Sequence, residues 1–116
     1  MRPSYARNVP RAWRRTARMF VALGDEHRQR IVLMFEPGER LTVGQIVAAS
    51  TLSRSAVAHH LKVLREAGVL HAEKVGKEVI YCPTPSGEAA VQQYREVRET
   101  CLIANLDVER NGDIGE

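Results

Sequence analysis

Apolar residues along the chain recur first at helical spacing and then at strand spacing. From Arg11 onward Trp13, Ala17, Phe20 and Leu23 fall on one side of a helix, with Arg11, Arg14, Arg15 and Arg18 on the other. Pro10 suits the first turn of that helix and Gly24 ends it. Asp25 caps a second helix running to about Phe35, with Ile31, Val32 and Phe35 on its buried face, and Pro37-Gly38 stops it. Thr42-Val43-Gly44-Gln45 has the form of a capping box, opening a short third helix over 43–50 that packs through Ile46, Val47 and Ala49. Ser50-Thr51-Leu52 is a tight turn. Ser53 caps a fourth helix over 53–65 that ends near Ala67, with Gly68 as the residue that closes it.

The period then shortens. Val69–Glu73 and Glu78–Cys82 are β-prone runs joined around Val75-Gly76-Lys77, a predicted hairpin that places His71 across from Cys82. Thr84-Pro85 opens a last helix, in which Ala90, Tyr94, Val97, Cys101 and Ala104 step by four and three residues, a heptad seam. The expected organisation is a basic flexible arm (1–10), one domain with dimerisation helices (11–106) and a flexible tail (107–116). The order of helix, helix, helix-turn-helix, hairpin and helix predicts a mainly α winged helix-turn-helix with five helices and a β-hairpin wing.

The fourth helix divides cleanly. Val57, Leu61 and Leu64 form its apolar stripe, with His60 on the same side, while Arg54, Ser55, Ala58, His59 and Lys62 lie opposite. Small and hydrogen-bonding side chains are what a helix needs to enter a major groove about 12 Å wide and touch base edges. Ser53 and Ser55 stand at the helix N-terminus, where free amides favour a phosphate. Arg54 suits a bidentate pair with guanine, and Lys62 a backbone phosphate. Lys74 and Lys77 at the hairpin add two cations beside it.

Charge fits this picture. The 116 residues carry a formal net charge of +3, unevenly spread: residues 1–18 hold six arginines and no acid, whereas acids predominate beyond Gly87. Such asymmetry suits a protein that turns one face to a polyanion; a solvated basic tail is the other explanation. No run of about 18 apolar residues offers a membrane span, and no apolar segment follows the N-terminal arginines, so a cytoplasmic protein is expected. Two cysteines, Cys82 and Cys101, are free thiols by default.

The stretch Leu41–Leu70, and within it Leu52-Ser53-Arg54-Ser55-Ala56-Val57-Ala58-His59-His60-Leu61-Lys62-Val63-Leu64, resembles the ArsR/SmtB family of bacterial repressors. The resemblance extends back to Ala22–Arg28 and forward to Gly76-Lys77 and Tyr81, covering about 20–104. It implies a winged-helix homodimer whose first and last helices form the interface, here Trp13, Phe20, Tyr94, Val97, Cys101 and Ala104. It implies repression by binding double-stranded DNA at imperfect inverted repeats and release on sensing an inducer. Two departures stand out. Thr51 replaces a glycine usual in the turn, so the turn should differ locally, and Ala58 stands where relatives often carry serine. The family's metal sites are not carried over: the third helix has no thiol and the last no histidine, so neither metal nor cofactor is expected. A thiol-responsive repressor using Cys101 or Cys82, and a winged-helix interaction module without DNA binding, are the alternatives. With no phosphate loop, paired carboxylates or positioned nucleophile, an enzyme is not expected.

Overall fold

The computed structural model describes residues 7–96. Helix α1 (Arg11–Ala22) follows Pro10, and α2 (Glu26–Leu33) is capped by the Asp25 carboxylate, which accepts from the Arg28 amide at 3.1 Å. A two-residue strand, β1 (Leu41–Thr42), leads straight into α3 (Val43–Ala49). The capping box there is complete: the Gln45 amide donates to Thr42 Oγ1 and the Thr42 amide donates to Gln45 Oε1. Helix α4 (Arg54–Glu66) ends in a Schellman arrangement around Gly68, which sits at φ 82°; Val69 N–H reaches Leu64 C=O and Gly68 N–H reaches Arg65 C=O. Strands β2 (Leu70–Val75) and β3 (Glu78–Pro83) form the hairpin, and α5 occupies 85–96 of the described chain.

The sheet is larger than the hairpin expected. β1 adds to β3 on the side away from β2, pairing Leu41 with Tyr81 and Thr42 with Ile80, so β3 is the central strand. This anchors the root of the wing to the start of α3. His71 does face Cys82 in the β2–β3 register.

One core unites the elements. Ile46 from α3, Val57, Leu61 and Leu64 from α4, and Val69 at the entry to β2 are fully buried. Ile31, Val32 and Phe35 close them from the α2 side, and Met19, Ala22 and Leu23 from the end of α1. Burying each of the larger side chains contributes about 1.5–3 kcal/mol. Because α4 supplies three of the wholly enclosed residues, its orientation is fixed by the core and its other face is left free.

Candidate nucleic-acid interface

Helices α3 and α4 are joined through Ser50–Ser53. Ser50 Oγ donates to the Val47 carbonyl and accepts from the Leu52 amide, both at 3.2 Å. That side-chain turn does locally what a glycine would otherwise permit. No described residue other than glycine has positive φ, so Thr51 carries no left-handed strain. Ser53 caps α4, its Oγ accepting from the Ala56 amide at 3.2 Å and lying 3.2 Å from Ser55 Oγ.

On α4, Arg54, Ser55, Ala58, His59 and Lys62 are all exposed, and Val57, Leu61 and Leu64 opposite them have no accessible surface. The helix is about 20 Å long. At the wing, Lys74 pairs with Val79 and Val75 with Glu78, leaving Gly76 (φ 64°) and Lys77 as the turn. Lys74 and Lys77 are exposed. The eight residues expected to meet a nucleic acid thus lie on α4, its cap and the hairpin, with side chains open to solvent.

His60 lies on the flank of α4 that meets α2, and its side chain is only 13 % exposed. Arg28 NH1 stands 3.2 Å from His60 Nδ1, and Asp25 Oδ2 is 4.0 Å from the same nitrogen. A guanidinium can only donate, so Nδ1 accepts and the ring is neutral, its proton on Nε2. Burial holds His60 below its ordinary value of 6.5, opposed by Asp25 and reinforced by Arg28, His59 and His27. Asp25 is itself held low, chiefly by the Arg28 amide. Arg28 Nε also donates to the Ala22 carbonyl at 2.6 Å. One guanidinium therefore ties the end of α1 and α2 to α4, a connection across 32 residues that no local pattern reveals.

The apolar stripe of α1 divides on folding. Leu23 enters the core, joined by Met19 and Ala22, whereas Trp13 and Phe20 remain 64 % and 60 % exposed. At 100° per residue α1 has three sectors: the core side, the arginines beside it, and the exposed apolar side about 160° from the arginines. Val21 and Leu33 are also exposed, two apolar positions not among the expected interface residues. Tyr94 is partly exposed, and its hydroxyl donates to the Leu23 carbonyl at 3.1 Å. The remaining expected interface positions, Val97, Cys101 and Ala104, lie outside the described residues. Among the described residues no three histidine, cysteine or acidic side chains are placed to hold a metal, and no helix is long and apolar enough to cross a membrane.

Known proteins share this arrangement. Residues 25–72, from the α2 cap into β2, match the family described as bacterial regulatory protein, arsR family. The HTH-type transcriptional regulator Rv2034 of Mycobacterium tuberculosis is 35% identical over 86 residues, 74% of this chain and 73% of that protein. The transcriptional repressor SmtB homolog of Synechocystis sp. is 34% identical over 83 residues, 72% of this chain and 61% of that protein. This chain therefore spans somewhat under two thirds of the SmtB homolog's length. Among solved structures, M. tuberculosis Rv0081 superposes with a TM-score of 0.70 at 26% identity, covering 84% of this chain and 99% of that one. HlyU from Vibrio cholerae superposes with a TM-score of 0.68 at 23% identity, over 77% and 97%, a likeness of fold. The first two of these relatives are named as regulators of transcription. With a winged helix-turn-helix whose described residues form five helices and a three-stranded sheet, this chain belongs to the ArsR family of bacterial regulatory proteins.

Proposed function

We propose that the protein is a transcriptional repressor acting as a homodimer on an inverted-repeat operator. The observation that carries the reading is the two-sidedness of α4. One face is locked into the core by Val57, Leu61 and Leu64, and the other presents Arg54, Ser55, Ala58, His59 and Lys62 to solvent. In this reading Arg54 contacts base edges, Ser53 and Ser55 seat a phosphate at the helix start, and Lys62, Lys74 and Lys77 contact the backbone. Trp13, Phe20 and Tyr94, with Val97, Cys101 and Ala104, pair two copies so that two α4 helices meet successive major grooves. Residues 11–106 form the working unit, flanked by a basic arm and a tail, and the protein works in the cytoplasm. The third helix lacks thiols and the last helix lacks histidine, so the reading includes no metal site of the family's kind.

Fluorescence anisotropy against the DNA upstream of the protein's own gene tests the reading. Saturable binding of two protomers per duplex, steeply weakened by salt and lost on a scrambled sequence, is the expected result. Affinity indifferent to sequence and ionic strength would remove the repressor assignment.

A further inference from the structure

Apart from the surface of α4 and the wing, the molecule carries a second group of cations. Between α1, the end of α4 and the start of α5 lies an open hollow of about 440 Å³, lined by Arg15, Arg18, Arg65, Glu66, Thr84 and Ser86 among others. An adjoining depression of about 480 Å³ is lined by Arg11, Arg14 and, again, Arg15 and Arg18. The two share side chains and so form one continuous surface. Five arginines face it, against the single carboxylate of Glu66. Among the described residues the ion pairs made by arginine are Arg30–Glu26 and Arg40–Glu73, so none of these five arginines is paired there.

Position gives this surface meaning. On α4, Arg65 follows Arg54, Ala58 and Lys62 along one flank, about 16 Å beyond Arg54. The arginines of α1 continue the same basic track onto the neighbouring helix, spanning about 10 Å from Arg11 to Arg18. The exposed Trp13 and Phe20 point about 160° away, so a second copy seated on that side leaves the arginines open. Two open, adjoining depressions with an extended row of planar forks fit a chain of phosphates better than one small anion.

We infer that Arg11, Arg14, Arg15, Arg18 and Arg65 bind backbone phosphates of duplex DNA flanking each half-site. They carry no sequence preference and lengthen the footprint beyond that of α4 and the wing. This inference rests on the proposed DNA-binding function, and the test separates the two.

The full-length protein is titrated by anisotropy against a duplex holding only the inverted repeat, and against the same repeat extended by about one helical turn at each end. Three proteins are compared: wild type, the triple variant Arg14→Gln/Arg15→Gln/Arg18→Gln, and the triple Arg→Lys variant. The wild type should bind the extended duplex on the order of tenfold more tightly and with a steeper salt dependence. The glutamine variant should lose that gain, its log–log salt slope falling by about one for each phosphate contact removed, with base preference on the short duplex unchanged. The lysine variant should recover most of it. All three side chains are exposed, so melting temperature should not move. A glutamine variant that matches wild type on both duplexes overturns the inference while leaving sequence-specific binding intact. A glutamine variant that binds more tightly also overturns it, assigning the arginines to the chain's own acid-rich C-terminal part. A wild type that discriminates no sequence overturns both readings.

Discussion

The start of α5 packs against the backbone at the junction of α4 and β2, and Gly87 makes the close approach possible. A Cβ on Gly87 would lie 2.0 Å from the Val69 carbonyl oxygen and 2.9 Å from its carbon. Both neighbours are backbone, so relief requires the first turn of α5 to retreat by about 1 Å. The same carbonyl accepts from the Thr84 amide at 3.0 Å; Thr84 Oγ1 donates to the adjacent Gly68 carbonyl at 2.6 Å and in turn accepts from the Gly87 amide at 2.8 Å. Retreat therefore strains the cap as well as the packing. Loss of a cap costs about 1 kcal/mol, a net backbone hydrogen bond about 1, and overpacking about 1–3. These terms overlap, so Gly87→Ala should destabilise by about 2–4 kcal/mol. Gly44→Ala is the matched control. Its Cβ would meet only Thr42 Oγ1, at 3.8 Å, inside a helix, and should stabilise by about 0.4–1 kcal/mol. Urea unfolding followed by circular dichroism measures both, at one fixed protein concentration because association shifts the midpoint. If Gly87→Ala falls within about 0.5 kcal/mol of wild type, the close approach of α5 to Val69 is wrong.

Three further outcomes follow from the site. Arg54→Ala should relax base preference at one position of each half-site, costing about 1–3 kcal/mol there, whereas Lys77→Ala should weaken all duplexes alike; equal losses on every sequence would refute the division of roles. Phe20→Glu, altering a side chain outside the core, should leave the far-UV spectrum unchanged yet yield monomers in sedimentation equilibrium, and a persistent dimer would move the interface off α1. Because His60 is held below 6.5 in the folded protein, the unfolded chain takes up its proton first as pH falls. His60 thus contributes stability above that value and loses it as pH drops through 6.5 and below. His60→Asn, which keeps an acceptor for Arg28, should flatten the fall in melting temperature between pH 7.5 and about 5 relative to wild type. Superimposable pH profiles would show that this ring does not titrate with unfolding.

Much of this was legible before folding because caps and turns are local chemistry. Asp25, Thr42 with Gln45, Ser53 and Gly68 each act on amides or carbonyls within a few residues, so spacing alone predicts them. Strand β1 escaped because two residues have no period, and its partners Ile80 and Tyr81 lie nearly forty positions away. The stripe on α1 was visible, but periodicity records only that a face is apolar, not what covers it. Met19 and Ala22 take the core side, and Trp13 and Phe20 are left outside. Thr51 was expected to disturb the turn, and Ser50, by bonding both Val47 and Leu52, removes the need for positive φ. The Arg28–His60 contact arises from tertiary packing, and the chain order contains no sign of it; the arginine side of α1 is legible in the spacing, and packing adds Arg65 of α4 beside it.

Base choice by the solvent-facing side of α4 is the core of the proposed function. Selection of bound sequences from a random duplex pool, run in parallel for wild type and Arg54→Ala, tests that directly. Wild type should enrich a two-fold-symmetric motif with half-sites about one helical turn apart, and the variant should enrich the same motif with one degenerate position per half. A pool that stays random with wild type, or motifs identical for the two proteins, would contradict it.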